Sequence, residues 1–593
     1  MYSKNPAPTT INDYRPLTLL NADYKLLARL LSDRLRPWLN HILRGSQYCG
    51  RQGCTIFDAV ATVRDVIANA NNTQSPLCIV TIDFQEAFDI SHTYLYATLQ
   101  ARGLSTDFQA RIKRMYDNAR STVQINGFTS SPIPILSSVR QGCPLSMILF
   151  AICLNPLICI LEDKLTGIWI APNGPTANVV AYADDITIFR TSPADIPIRN
   201  DALRIYEATS RARVNTRKSK AIAMSRWDST LQIMGIPYYN EAKILGLHIT
   251  STVKASARRC WGILTARIRA QPREAYTREL NLDGRIYYVH THLMAKAWNL
   301  AQIFPPHEAS IRRLNTAIAW FIWKGATFRV PLSTLQRSKH DGGWDMIHLK
   351  AKCIALLLHR TRIQSQDPET FTAAWLEKWN ITEHSPNPPH RGEIPETIEY
   401  LRRIYRESAY VPPYDKIVTN LVNKRRLYTT VHTMMRAEAG SQELRISRLK
   451  PNTHWGALWR NLHDTPVPQR EKVEWYKVIH DIIPTHDRLN RIRLAPSNKC
   501  QTCSEPDTIA HRILDCGNGR RIRQWTKERL AQILNTTPDQ IPDEWPACPQ
   551  YIIRPQRRNR DTSWMLATLI TCRMNTPPTT TLQDYIEILK RSR

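Results

Sequence analysis

The sequence predicts an α+β fold, in which helices and a few strands are mixed rather than strictly alternating. Three observations predict it. Cys78-Ile-Val-Thr-Ile82 is a short, β-branched apolar run, and Val179 to Phe189 reads as strand, tight acidic turn, strand. After about Lys254 the strand signals fade into long helical patterns.

The elements follow in chain order. Asn21 is a helix-capping residue, and Leu27, Leu30, Leu31 and Leu35 recur at helical spacing after it. Gln47 to Gly53 is a glycine-containing loop, and helical periodicity resumes from Phe57 to Ala70. Pro76 precedes the apolar run 78–82 and acidic residues follow it, which marks a buried strand. Asn126-Gly127 inside Val123 to Ile135 predicts a hairpin. Leu145 to Leu161 reads as a buried helix. Helices carrying Trp261, Trp298, Trp320 and Trp323 continue to about Arg362. Ser385-Pro-Asn-Pro-Pro-His-Arg-Gly392 is a linker, a basic helical stretch runs to about Lys450, and a Cys/His-bearing tail follows. No internal repeat or low-complexity tract is present.

Composition narrows the functional class. The 593 residues correspond to roughly three to five packed units. With 42% hydrophobic residues the chain can build real cores, which excludes wholesale disorder. The opening MYSKNPAPTTINDYRP has no apolar core, so no secretory signal is read. Asn155 and Pro156 break the longest apolar run, which reads as too interrupted to span a bilayer. Thirteen cysteines without a regular framework fit a reducing compartment. A net charge of +29 calls for a polyanion, with nucleic acid first and an anionic membrane surface a weaker second.

Two acidic sites carry chemistry. Asp83 ends the apolar run, and Asp184-Asp185 interrupts VVAYADDITIF. A carboxylate at the end of a buried strand is costly unless a cation compensates it. Adjacent strands would bring Asp83 and Asp184 to one edge, where clustered oxygens suit Mg²⁺. Two such ions, about 3.5–4 Å apart, can activate a hydroxyl and stabilise a leaving oxygen in phosphoryl transfer. The competing reading is solvent-facing carboxylates at a strand end and a turn.

These residues resemble a known family. Tyr182-Ala-Asp-Asp185, Asp83-Phe-Gln-Glu-Ala-Phe-Asp89 and Arg140-Gln-Gly-Cys-Pro-Leu-Ser146 are similar, in order and spacing, to three motifs of reverse transcriptases of the non-LTR (LINE-type) retrotransposons. Further matches are Asp13-Tyr-Arg-Pro-Leu17, Gln47-Tyr-Cys-Gly50, Asn215 with Lys218, Leu245-Gly246, Phe321-Ile-Trp-Lys-Gly325 and Gly342-Gly-Trp344. The resemblance implies a right-hand polymerase that adds dNTPs to a primer 3′-hydroxyl on an RNA template. Asp83, Asp184 and Asp185 would hold two Mg²⁺ ions. Phe88 would gate against a ribose 2′-hydroxyl, and Gln141 and Gly142 would lie against nucleotide and template. Lys218 would sit near the phosphates, Asp89 would support the site, and Arg15 and Arg51 would contact template or triphosphate. Met147 departs from the usual proline, and Arg217-Lys218-Ser219 fits loosely. The chain begins almost at the Y-R-P motif, so a truncated copy is expected, without the upstream endonuclease and with part of the fingers missing.

Cys500-x₂-Cys503-x₇-His511-x₄-Cys516 offers a Cys₃His set, the composition of a closed structural zinc site. It resembles the zinc-knuckle-like element found C-terminal to the LINE-type polymerase. Basic residues with aromatics flank it: Arg402, Arg403 and Arg406 near Tyr400 and Tyr405, Lys424 to Arg426 before Tyr428, and Arg520, Arg521, Arg523, Trp525, Lys527 and Arg529 after it. Such surfaces suit phosphate contact and base stacking. Each run alone also reads as a solvated helical face.

The expected organisation is therefore partial fingers and palm over 1–254, with the palm an antiparallel sheet carrying helices on one face. A helical thumb and post-thumb region covers 255–362, a linker 363–396, a basic helical region 397–470, and a zinc-knuckle-like domain 471–593. Expected partners are RNA template, DNA primer or target site, and dNTPs. No membrane partner is expected, and the nicking endonuclease is supplied elsewhere. The expected setting is an intracellular ribonucleoprotein of nucleus and cytoplasm. A catalytically silent, nucleic-acid-binding remnant of a retroelement is the alternative. A group II intron enzyme is a further one, against which the F-I-W-K-G and G-G-W stretches and the zinc-like tail argue.

Overall fold

The structure is a computed structural model. It describes residues 2–3, 14–15, 18–365 (apart from 87, 126, 141, 170–175, 234, 272–278 and 326–328), 428–429, 431–433, 455–464 and 469–540. The linker at 385–392 and most of the basic stretch at 397–450 lie outside these residues. The chain divides into two compact units. The first is Met1–Trp261 with Leu300–Pro305 and Leu356–Lys424, and the second is Gly262–Asn299, Pro306–Ala355 and Arg425–Arg593.

In the first unit, helix α1 (Ala22–Leu35) starts after Asn21, whose backbone, rather than its side chain, makes the capping bond. The buried face of α1 is Ala28, Leu31, Ser32 and Leu35, while Leu27 and Leu30 are exposed, which corrects the expected stripe. Leucines at 26, 27, 30, 31 and 35 spread over about half of the helix circumference, wider than one packed stripe, so they cannot all face the core. Small Ala28 and Ser32 complete the packed stripe instead. Helix α2 (Ile56–Thr73) is capped by Asp58, whose carboxylate accepts the Thr55 N–H at 2.8 Å and the Thr55 hydroxyl at 2.7 Å. Strand β1 (Leu77–Ile82) follows, then helices α3 (His92–Ala101) and α4 (Thr106–Tyr116).

A long hairpin comes next. Its base pairs β2 (Arg120–Ser121) with β5 (Ile133–Pro134), and its outer part pairs β3 (Gln124–Ile125) with β4 (Phe128–Thr129). Helix α5 (Ser146–Lys164) is the buried helix expected over Leu145 to Leu161, and it runs unbroken through Asn155 and Pro156. Asn155 does not break it because its side chain is satisfied: Oδ1 accepts the Arg44 N–H at 2.8 Å and Nδ2 donates to the Ile42 carbonyl at 3.1 Å. Among the described residues α5 is the helix long and apolar enough to cross a membrane, and most of it is buried inside this unit.

Strands β6 (Val179–Tyr182) and β7 (Asp185–Arg190), helix α6 (Asp195–Ser210) and strand β8 (Lys220–Met224) complete a four-stranded antiparallel sheet of order β6-β7-β1-β8. Cys78, Val80, Ile82, Ile186 and Ile188 pack with α3, α5 and α6 in one core. Helix α2 meets both edge strands, β6 and β8, and contributes nothing to that core. Helices therefore cover both faces, not one as expected. This explains why β1 is apolar throughout rather than alternating. A separate hairpin, β9 (Glu241–Ile244) with β10 (Leu247–Thr250), turns at Leu245-Gly246, both with positive φ, the pattern of a type I′ turn.

The second unit is helical among its described residues. Part of its core is an aromatic cluster, drawn from Gly342-Gly-Trp344 and from helices α7 (Trp455–Asp464) and α8 (Gln469–Ile479). Trp344 meets the rings of His463 and Tyr476 edge-on at 5.2 and 5.5 Å. Trp459 stacks on His480 at 5.5 Å, and the Tyr476 hydroxyl donates to the Gly342 carbonyl at 3.1 Å. A Cβ on Gly343 would meet the Arg337 carbonyl oxygen at 2.0 Å, so only glycine fits.

Burial, reinforced by nearby cationic groups, pushes the His463 and His480 imidazoles down from 6.5 to about 4. The unfolded chain binds these protons first on acidification, so the stability of this unit is lost as pH falls from 6.5 towards 4. The expected result is a melting temperature that drops across that window. In His480→Phe the drop is shallower, as measured by near-ultraviolet circular dichroism.

Candidate active site

The sheet register decides where the acidic residues meet. Ile186 on β7 faces Ile82 on β1, so the next step along the ladder sets Asp185 opposite Asp83. Tyr182 pairs with Asp185 across a two-residue turn, and Asp184 is the second turn residue. Ala183 takes φ +57° at the first turn position, the φ pattern of a type II′ hairpin. Three carboxylates thus gather at one end of two neighbouring strands. Asp185 reaches solvent, yet surrounding protein desolvates its carboxyl group. That burial, then the charges of Asp184 and Asp83, push it up from 3.8 to about 6, while Lys243 opposes the shift.

Backbone contacts hold the cluster from three sides. The Asp83 carbonyl accepts the Asn215 N–H at 2.7 Å, and its N–H donates to the Ser219 hydroxyl at 3.1 Å. Lys218 lies exposed in the turn between them, its N–H bonded to Asn215 Oδ1 at 3.2 Å. On the hairpin side, Ala181 exchanges backbone bonds with Ser46 and Tyr48, both at 2.9 Å. This brings Cys49 beside Ala183, and burial together with the Asp184 charge pushes its thiol up. On the third side, the Phe88 and Ile90 carbonyls accept the Val139 and Ser138 N–H groups, both at 2.9 Å, and Asp89 accepts the Ser137 hydroxyl at 2.5 Å.

In the second unit Cys500, Cys503, His511 and Cys516 converge, with one ligand atom from each within 4.8 Å of all the others. Cys503 Sγ lies 3.1 Å from His511 Nε2. Three sulfurs and one imidazole at this spacing fit a tetrahedral zinc ion, whose bonds run about 2.0–2.3 Å. The buried Asp507 ties the surrounding loops together. It accepts two bonds from Arg512, each 2.6 Å, and the His486 N–H at 2.7 Å. These donors outweigh burial and bring its carboxyl group down to about 2.

Residues 3–249 match the family model described as reverse transcriptase (RNA-dependent DNA polymerase). The chain carries a reverse transcriptase domain. Its sheet is the polymerase palm, and Tyr182 to Asp185 is the palm hairpin. Residues 442–522 match a second model, described as zinc-binding in reverse transcriptase, and contain the Cys₃His cluster's first three ligands and its fourth. The chain is 28% identical over 369 residues to the transposon TX1 149 kDa protein of Xenopus laevis, covering 60% of this chain and 27% of that one. It is 21% identical over 542 residues to the Pol polyprotein of the type-2 retrotransposable element R2DM of Drosophila melanogaster, covering 86% of this chain and 47% of that one. The chain thus spans about half or less of the length of these relatives. Both relatives are named for mobile elements, a transposon and a retrotransposable element. Telomerase from Candida albicans is a solved structure similar over 66% of this chain and 58% of its own, with a TM-score of 0.33 and 13% identity.

The other expected site residues of the reverse transcriptase are placed unevenly. Phe88 packs on Phe150, with ring centroids 4.9 Å apart. Gly142 has φ +83°, which only glycine adopts readily, and a Cβ there would lie 3.5 Å from the Thr18 carbonyl. Arg51 turns back on its own loop, donating from Nη1 to the Gly45 carbonyl at 2.6 Å. Arg15 sits on a two-residue strand paired with Tyr2–Ser3, but its side chain lies outside the described residues, as does Gln141. The sequence reading missed Lys243 and Ser219. Lys243 stands two residues before Leu245-Gly246, and that spacing was the available signal. Ser219 contributes a hydroxyl to a backbone N–H, which leaves no mark on sequence.

Metal analysis of the purified chain should find zinc bound at the Cys₃His site. In Cys500→Ser/Cys503→Ser that zinc is lost, and the second unit melts earlier because the metal no longer ties its loops.

Proposed function

We propose that this protein is an RNA-directed DNA polymerase of a non-LTR retrotransposon, copying an RNA template by adding dNTPs to a primer 3′-hydroxyl. The observation that carries this reading is the convergence of Asp83, Asp184 and Asp185 at one end of the palm sheet, where burial, and then the charges of Asp184 and Asp83, lift the carboxyl group of Asp185. A cluster of hard oxygen donors that carries more negative charge than its surroundings neutralise fits Mg²⁺. When bound, two Mg²⁺ ions would supply charge neutralisation at the attacking and leaving oxygens.

The chain's own residues do the rest. Asp83, Asp184 and Asp185 would hold the Mg²⁺ ions that neutralise the nucleotide's phosphates. The primer 3′-oxygen attacks the α-phosphorus, the bond to the β-phosphate oxygen breaks, and pyrophosphate leaves. Phe88, held against Phe150, bounds the sugar site and excludes a 2′-hydroxyl. Gly142 and Gln141 offer backbone and amide to the base pair, and Lys218, at the turn that clamps Asp83, meets the phosphates. Arg15 and Arg51 lie on segments suited to template contact. In this reading the zinc module holds its basic helix (Gly517–Leu534) against RNA or DNA. The primer is supplied by nicked target DNA, the endonuclease acts from elsewhere, and the working form is an intracellular ribonucleoprotein.

Primer extension on an RNA template with Mg²⁺ and labelled dNTPs tests the proposal. Asp184→Asn should lower extension by about 10²–10³-fold or more while leaving primer–template binding intact. A parent protein that binds the primed template but never extends it is the silent remnant instead.

A further inference from the structure

The hairpin from Arg120 to Pro134 has no place in the catalytic account above, yet it is built as an interaction surface. Every described side chain along it is exposed, those of 125 and 126 lying outside the description. It is one continuous ribbon: β2 with β5 at the base, a Val123–Ser130 link of two bonds at 2.9 and 3.0 Å, then β3 with β4. A two-stranded ribbon that buries no face is marginal in water. This one nevertheless displays Val123, Phe128 and Ile133, with Leu136 just beyond, and Phe128 is 82% exposed next to the turn glycine Gly127. Exposed apolar side chains gathered on one element mark a binding surface.

Its root and its charge indicate the partner. The ribbon leaves Ala119, whose carbonyl accepts the Ile135 N–H at 2.8 Å, and returns through Ser137 to Val139. That return strand is bonded to Phe88, Asp89 and Ile90, and it leads directly into Arg140 and Gly142. At the root the Arg140 guanidinium lies over the Tyr24 and Tyr116 rings, at 4.6 and 5.7 Å, so a cation is held in place there. From Asn118 to Leu161 the sequence has no acidic residue, whereas it supplies Arg120, Arg140 and a run of hydroxyls at Ser121, Thr122, Thr129, Ser130 and Ser131. A surface of exposed aromatic, hydroxyls and arginine without carboxylates matches a single nucleic-acid strand, with bases for the ring and phosphates for the rest.

We propose that this hairpin is a template guide: Phe128 stacks on an unpaired template base ahead of the nucleotide site while the ribbon's hydroxyls and Arg120 follow the phosphates. The proposal rests on the polymerase reading, because that reading makes the segments at the hairpin's root the nucleotide and template site. Extended strands rise about 3.3 Å per residue, so the tip reaches at most roughly 25 Å from the root. At about 3.4 Å per nucleotide this is some seven template positions.

The test measures binding without dNTPs, using the full chain and a DNA primer on RNA templates that end either blunt or in a ten-nucleotide 5′ overhang. The parent should bind the overhang substrate more tightly. Phe128→Ala should weaken that binding about 5- to 100-fold while leaving blunt-duplex affinity unchanged, and Phe128→Trp should retain it. A 2-aminopurine moved along the overhang should be quenched at one position within the first seven in the parent and released in Phe128→Ala. Equal affinities for parent and Phe128→Ala on the overhang, or equal weakening on the blunt duplex, overturns the guide. Because no nucleotide is incorporated, either outcome leaves the extension assay to judge the polymerase reading separately.

Discussion

Like charges held together at the end of apolar strands are the constraint on which this structure turns. The ladder between β1 and β7 leaves Asp83 and Asp185 no freedom to separate, because sliding by one residue would carry every packed side chain of β7 to the opposite face of the sheet. The tight turn at Ala183 then forces Asp184 into the same space. Three carboxylates so confined repel one another, and at Asp185 that repulsion adds to the larger effect of burial in raising the carboxyl group's pKa. A site of this kind is stabilised by what it binds, and the neighbouring cation Lys243 offsets only part of the charge.

The surrounding fold is organised around keeping that cluster rigid. Asn215 and Ser219 grip the backbone of Asp83 itself, so a loop that follows α6 sets the position of a residue that follows β1. Ser46 and Tyr48 extend the sheet past its edge at β6 and brace the hairpin from outside. Helices on both faces seal the strands, and α5 and α2 are the largest contributors to that seal. The second unit relies on another principle. Its aromatic cluster joins Gly342 and Trp344 to helices over a hundred residues later, and its cysteines and histidine close round a space suited to zinc.

The acidic end of the sheet could be read from sequence because carboxylates inside apolar strand runs are rare and conspicuous. The Cys₃His cluster could be read because its spacing is short and its chemistry soft. Other features left weaker traces. A strand buried on both faces loses its alternation, so β1 announced its burial but not which helices cover the sheet. Leucines spread over half of α1 concealed which face packs, and the choice fell to small residues, Ala28 and Ser32, that periodicity ignores. Asn155 and Pro156 read as an interruption because the partners that satisfy Asn155 come from residues 42 and 44, more than a hundred positions away. Gly343 likewise depends on a carbonyl six residues upstream that no pattern announces.

The most direct measurement is an anomalous difference map from crystals of the chain grown with Mn²⁺ and a non-hydrolysable dNTP. The account predicts manganese density bounded by the carboxylates of Asp83, Asp184 and Asp185, at oxygen-coordination distance. Carboxylates splayed apart with no density between them, or manganese bound only elsewhere, would contradict it.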